Sequence, residues 1–221
     1  MNKKRIKVAI DSPAGAGAGT QSKLISKHYN LFYLDTGKIY RILAYYKLKN
    51  FDKFNLKNIK KKIKSLKLHE LKNKKLLSNE IGIEASIISK NKQIRKLVDI
   101  VQKKYAYNPP RKYNGSCLDG RDITYKILPD ADFKFFITAN VKIRARRRYK
   151  ELKVLNKKIK FDDVLKSIKK RDLSDYKRKV SPLKRTKDSI LIDTTHLSIK
   201  KCFLLIKRII DKKLKKNNIK F

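Results

Sequence analysis

The sequence predicts a parallel α/β domain. Three observations carry this: short apolar runs alternate with helical periodicities, the first run ends in a glycine-rich turn that opens a helix, and a chain of 221 residues with 41% hydrophobic content can bury a sizeable core. Ile6, Val8 and Ile10, with Ala9 between them, mark a buried strand ending at Asp11. A glycine-rich turn follows from Ser12 to Gly19, and Thr20 opens a helix with Leu24, Ile25 and His28 on one side. Residues 31–34 form the second strand, and Asp35-Thr36-Gly37 leads into a helix carrying Ile39, Ile42 and Leu43. Strand, turn, helix, strand, helix is the rhythm of a parallel sheet.

Residues 47–76 interrupt that rhythm. They are rich in lysine, yet Leu56, Ile59, Ile63 and Leu66 recur at helical spacing, so one helix lies on the core with a solvated basic face. Residues 81–101 read as a single, loosely amphipathic helix, ended by a loop with Pro109, Pro110 and Gly115. Residues 116–119 and 133–137 are two further strands. Two arginine-rich helical stretches lie between Val141 and Leu173, and 174–187 is polar with Pro182. Residues 190–193 are the last strand, and the final helix places Ile199, Cys202, Phe203, Ile206 and Ile210 on one stripe. No internal repeat is visible. The pattern describes one domain with two inserts, near 47–85 and 141–180.

Lys plus Arg number 60 against 19 Asp plus Glu, a net charge of +41. That excess points to a polyanionic partner such as nucleic acid, membrane phosphate or nucleotide. Only 13 of the 60 are Arg, however, and the lysines are spread out among frequent Asn and Ile, which is also what an AT-rich genome gives a soluble enzyme. The apolar content is too high for a disordered polyelectrolyte. Two cysteines cannot build a disulfide framework, and His28, His69 and His196 lack metal-ligand spacing. The apolar run at the N-terminus is too short for a signal peptide, and no window reaches a membrane span, so the chain reads as cytoplasmic.

A glycine-rich turn between strand and helix presents backbone N–H groups to phosphate, and the helix N-terminus adds partial positive charge. Ser12, Pro13, Ala14, Gly15, Ala16, Gly17, Ala18, Gly19 and Thr20 have that context. The usual pattern is G-x-x-x-x-G-K-[ST], in which Lys reaches the β- and γ-phosphates and the hydroxyl serves Mg²⁺. Here Ser12 replaces the first Gly, and Ala18 stands where Lys is expected. An ordinary glycine-rich turn is the alternative.

Segments beyond the loop carry a resemblance. Leu34-Asp-Thr-Gly-Lys-Ile-Tyr-Arg41, Asp119-Gly-Arg-Asp122, Leu128-Pro-Asp-Ala-Asp132, Arg146-Arg-Arg-Tyr149, Arg171-Asp172 with Asp175 and Arg178, and Asp193-Thr-Thr-His-Leu-Ser198 resemble, in order, the signature segments of bacterial cytidylate (CMP/dCMP) kinases. The resemblance implies a P-loop NTPase three-layer α/β/α fold with a five-stranded parallel sheet. It places a monophosphate-binding insert at about 47–95 and a short lid at about 144–180 within one domain spanning 1–221. It also implies Mg²⁺-dependent transfer of the γ-phosphoryl group of ATP to CMP or dCMP, with Thr20 at the metal. The implied partners are these nucleotides, with no specific nucleic acid, no membrane and a monomeric state.

Residue by residue, Asp35, Thr36, Tyr40 and Arg41 resemble the family's contacts to the nucleotide that receives phosphate, with Arg41 on its phosphate. Ser86, Arg95 and Asp122 resemble the group that reads the cytosine edge, Ser86 and Arg95 lying nine residues apart on one expected helix. A carboxylate accepts from the exocyclic amine, while Ser and Arg donate to N3 and O2. Asp175 resembles the ribose ligand, and Arg121 belongs to the same substrate set. Arg171 and Arg178 resemble phosphate ligands, with Arg144, Arg147 and Arg148 in the lid; Arg148 joins Arg171 and Arg178 on the transferred group.

The chain departs from the family at five points. Ser12 and Ala18 alter the loop, Thr124-Tyr125 replaces the Gly-Thr pair that usually follows Gly-Arg-Asp-hydrophobic, the monophosphate insert is short before Ser86, and Gly82 stands where some relatives carry Arg. Lys38 is the best replacement for the loop lysine, three residues before Arg41 on one helix face, with Lys126 the second choice and one more surface lysine the plain alternative. Capping the following helix is the plain alternative for Asp11 and Asp35 at their strand ends, and it weighs more for Asp11. The competing function is a binding protein: an inactive relative that keeps nucleotide, or a basic nucleic-acid-associated protein.

Overall fold

A computed structural model describes residues 5–155 and 158–216. The expected strands all form: β1 (Ile6–Asp11), β2 (Phe32–Asp35), β3 (Gly115–Gly120), β4 (Phe133–Thr138) and β5 (Ile190–Asp193). They make one parallel sheet in the order β2-β3-β1-β4-β5. β1 is central, and its near-continuous apolar run suits a strand covered on both faces. Side chains alternate there: Ala9 packs on one face with Leu34, Leu43, Val98 and Leu118, while Val8 and Ile10 pack on the other with Ile25, Phe135, Ile206 and Ile210. The first face is covered by α2 (Gly37–Lys49), α4 (Asn79–Ile88) and α5 (Lys92–Tyr107), the second by α1 (Ala18–His28) and α8 (Ile199–Lys216). This is the three-layer α/β/α arrangement.

Within 47–76 the expected helix forms as α3 (Leu56–Lys64), with Ile59 and Ile63 buried; Leu68–Lys72 and Lys74–Leu77 are 3₁₀ turns. The single helix expected over 81–101 is two. α4 stops at Ser89, and the Asn91 side chain caps α5 by accepting from the N–H groups of Gln93 (2.9 Å) and Ile94 (3.1 Å). Ser86 and Arg95 therefore sit on different helices, and their nine-residue spacing spans a corner.

Asp11 caps neither α1 nor any other helix of its own strand's connection. Its carboxylate accepts from Ile123 N (2.9 Å), Thr124 N (2.9 Å) and Thr124 Oγ1 (2.6 Å), gripping the π-helical turn Ile123–Ile127 that follows β3. Over the segment expected to form the lid, α6 (Val141–Leu155) and α7 (Phe161–Lys177) form a hairpin with a small core of Ala145, Leu152, Val164 and Ile168. Residues 156–157 of the lid, and 1–4 and 217–221 of the domain, lie outside the described residues. No described helix is long and apolar enough to cross a membrane.

Candidate active site

The carboxyl edge of a parallel sheet, where strands hand over to helices, is where α/β folds place ligands. Here a cleft of about 930 Å³ opens at that edge, between the turn after β1, the insert and the lid. The turn lines it throughout, from Ser12 to Thr20. Gly15 and Gly17 take left-handed φ of +75° and +92°, which only glycine adopts without strain, and Gly17 turns the chain into α1. Arg144 clamps the turn from behind: it donates to Ala139 O (2.8 Å) and Ala14 O (3.1 Å) and pairs with Asp172 (2.7 Å). Ala18 is buried as the first residue of α1 and brings no charge.

Cations converge opposite the turn. Arg41, Arg121, Arg148 and Arg171 all line the cleft. Burial lowers Arg41 to about 9, reinforced by Arg171 and Arg148; burial lowers Arg171 to about 10, reinforced by Arg121. Guanidiniums this close oppose one another's charge, and an anion set among them relieves that. Arg41 donates to Leu76 O (2.6 Å) and Ser78 O (3.2 Å); Arg148 donates to Leu77 O (2.8 Å), so lid and insert touch across the cleft. Arg147 is held over Ala16 O (3.4 Å) by Thr194, while Arg146 points to solvent, so the three consecutive arginines divide their roles.

Other expected residues lie beneath the surface of the cleft. Asp175 is a hub, 2.8 Å from Arg121 Nε, 3.3 Å from Arg178 Nη1 and 3.9 Å from Arg171 Nε. Burial alone would raise its carboxyl; Arg121, Arg171 and Arg178 outweigh that and hold it below the usual carboxylate range. Asp122 and Arg95 form a buried pair (2.8 Å), with the Arg95 guanidinium stacked 5.3 Å from the Tyr40 ring. Tyr40 Oη and Arg178 Nη2 are buried without a hydrogen-bond partner among the described residues. Thr36 is committed elsewhere, its hydroxyl donating to Asp119 O (2.7 Å), so it shapes the loop and does not face the cleft. Ser86 lines the cleft from α4.

Lys38 and Lys126 separate clearly. Lys38 lines the cleft with the turn and makes no hydrogen bond or ion pair with another described residue. Lys126 is 2.7 Å from Asp99 and outside the cleft, which removes it as a stand-in for the missing lysine.

Of the two carboxylates that line the cleft near the loop, Asp35 is among the expected site residues and Asp119 is not. Asp35 and Asp119 are register partners at the ends of β2 and β3, and both line the cleft. Burial, then the Asp35 charge, pushes the Asp119 carboxyl well up, and Tyr33 Oη lies 3.3 Å from Asp119 Oδ1. Asp119 Oδ2 sits 3.3 Å from where a Cβ on Gly19 would be, beside exposed Thr20. Two adjacent carboxylates on the cleft that also holds the Thr20 hydroxyl suit a hard divalent cation that draws its other ligands from water and phosphate.

A glycine-rich turn between strand and helix, a converging arginine set and a helical hairpin beside a five-stranded parallel sheet are the parts of a P-loop nucleotide phosphotransferase. The family model described as cytidylate kinase matches residues 8–212, and the chain belongs to that family. It is 39% identical over 218 residues to a cytidylate kinase of Clostridium tetani, covering 94% of each chain. It is 41% identical over 205 residues to one of Bartonella tribocorum, covering 92% of this chain and 94% of that one. A solved structure of an uncharacterized protein from Eubacterium ventriosum shares the fold, with a TM-score of 0.55 at 16% identity over 94% of this chain and 99% of that one. The family makes the protein an ATP-dependent phosphotransferase.

Proposed function

We propose that the protein transfers the γ-phosphoryl group of ATP to CMP or dCMP, releasing ADP and CDP or dCDP. What supports this is the convergence of Arg41, Arg121, Arg148 and Arg171 on the cleft that residues 12–20 line, with Ser86 on the same cleft. ATP phosphates lie along the backbone of 12–20, with Arg147 closing over that side. The CMP phosphate lies at Arg41, its ribose at Asp175, and its base toward Ser86 and Asp122. An oxygen of the CMP phosphate forms the new P–O bond to the γ-phosphorus as the β–γ bridging bond breaks and ADP leaves. Charge on the transferred group is met by Arg148, Arg171, Lys38 and, through its contact with Asp175, Arg178, since positioning and electrostatics supply nearly all of the catalysis in phosphoryl transfer.

Mg²⁺ at Thr20, Asp35 and Asp119 would neutralise β- and γ-phosphate charge. Burial, then the Asp35 charge, pushes the Asp119 carboxyl up, and such a cation would offset both. The protein acts as a cytoplasmic monomer whose basic surface serves no specific nucleic acid. A coupled assay with ATP, Mg²⁺ and each monophosphate tests the reading. CMP and dCMP should react much faster than AMP, GMP or dTMP, because a wrong base leaves polar groups unpaired at about 1–3 kcal/mol each. Equal rates on CMP and AMP would overturn it.

A further inference from the structure

The turn Ile123–Ile127 carries a lysine in a place that neither the phosphate loop nor the arginine cluster explains. Lys126 Nζ lies 2.7 Å from Asp99 Oδ2, 2.9 Å from Ser181 Oγ and 4.0 Å from Asp122 Oδ2. Arg95 Nη1 takes the same Asp122 oxygen at 2.8 Å. The four side chains form a row of alternating charge, Asp99, Lys126, Asp122, Arg95. Lys126 enters it from the solvent side, about a third exposed, while Asp122 is almost wholly buried. Asp99 belongs to α5 and Ser181 to the loop after α7, so Lys126 is anchored independently of Asp122. No hydrogen bond from a described residue reaches Asp122 Oδ1.

We infer that Lys126 is a positioning residue for recognition of the base. It rests on the assignment of Asp122 as the base-facing carboxylate, and it says how that carboxylate is presented. Arginine and carboxylate prefer a bidentate pairing in which both oxygens take an N–H. Such a pairing between Arg95 and Asp122 would consume Oδ1. Lys126, fixed by Asp99 and Ser181 at 4.0 Å from Oδ2, draws that oxygen toward itself and holds the Arg95 contact to a single hydrogen bond. Oδ1 is thereby kept as a free acceptor, the right partner for an exocyclic amine and the wrong one for a carbonyl. Lys126 thus favours an aminopyrimidine over an oxopyrimidine.

The test measures kcat and KM with CMP and with UMP for the wild type and for Lys126→Gln, Lys126→Arg and Asp122→Asn. Gln keeps a hydrogen bond to Ser181 or Asp99 and removes the charge. It should raise the KM for CMP by roughly tenfold, the scale of one hydrogen bond, and narrow the CMP-to-UMP preference, with kcat for CMP within about twofold of wild type. Lys126→Arg should restore both. If Asp122→Asn abolishes the preference while Lys126→Gln leaves it intact, Lys126 only stabilises the fold and the inference is wrong. If Asp122→Asn leaves the preference intact, the assignment of Asp122 fails and the inference goes with it. Should Lys126→Gln not fold, Asp99→Asn loosens the same anchor, and an unchanged preference there is equally fatal.

Discussion

Gly82 lies against the guanidinium of Arg41: a Cβ on residue 82 would stand 2.9 Å from Arg41 Nη2 and 3.2 Å from Nη1. The glycine is thus the space through which Arg41 crosses from α2 to the carbonyls of Leu76 and Ser78. Gly82→Ala should move stability and activity in opposite directions. Alanine in a helix interior is favoured over glycine by up to about 1 kcal/mol, so Tm should hold or rise. The displaced Arg41 tip should raise the KM for CMP by roughly tenfold or more. A variant with unchanged CMP kinetics would show that Arg41 does not meet the substrate from this position.

Lys38 shares the cleft with a phosphate loop that has Ala18 in place of lysine. Lys38→Ala is expected to reduce kcat by about tenfold or more, the scale of one charged group on a developing phosphoryl charge. Lys61→Ala, an exposed lysine of α3, serves as the comparison. Ala18→Lys should partly rescue Lys38→Ala. Near wild-type kcat in Lys38→Ala would leave the lid and cleft arginines as the sole source of that charge.

Burial raises Asp11 to about 6 against the opposing hydrogen bonds of Thr124 and Ile123. A carboxyl whose folded value is raised favours the fold when protonated. Its contribution is therefore complete below about 4 and is lost as pH rises through about 6. Chemical denaturation of the wild type and Asp11→Asn across this range should show the difference between them changing by about 2–3 kcal/mol, then levelling off above pH 7. A difference that is flat between pH 4 and 7 would place Asp11 near its ordinary value.

The net charge of +41 should confer only nonspecific, salt-sensitive binding to nucleic acid. Fluorescence anisotropy with unrelated DNA and RNA probes should give similar affinities that fall steeply with salt. Sub-micromolar binding at physiological salt with a clear sequence preference would contradict this.

Much of this architecture was legible in the sequence, because each strand is a short apolar run bounded by a turn or a polar edge. The corner at Ser89–Asn91 was not, since apolar spacing continues through 81–101 and only the Asn91 cap marks the break. Among site residues, Ser12–Thr20, Arg41 and Arg148 were recognisable from their motifs and do line the cleft. What the motifs could not convey is which polar groups the protein itself uses. Thr36 is bonded to Asp119 O, and Asp122 to Arg95, across 83 and 27 residues of chain. Asp35 and Asp119 become neighbours only through strand register, a relationship with no local signature.

Arg41 and Arg148 take hold of the insert by main-chain oxygens alone, those of Leu76, Leu77 and Ser78. A carbonyl is the same whatever side chain its residue bears. Outside Leu76, which is buried, codon-level drift toward lysine, asparagine or isoleucine can rewrite this stretch of the insert and leave both grips intact. Inserting or deleting one residue between 71 and 81 is a different matter, because it shifts all three oxygens at once. The segment tolerates changes of spelling and forbids changes of length.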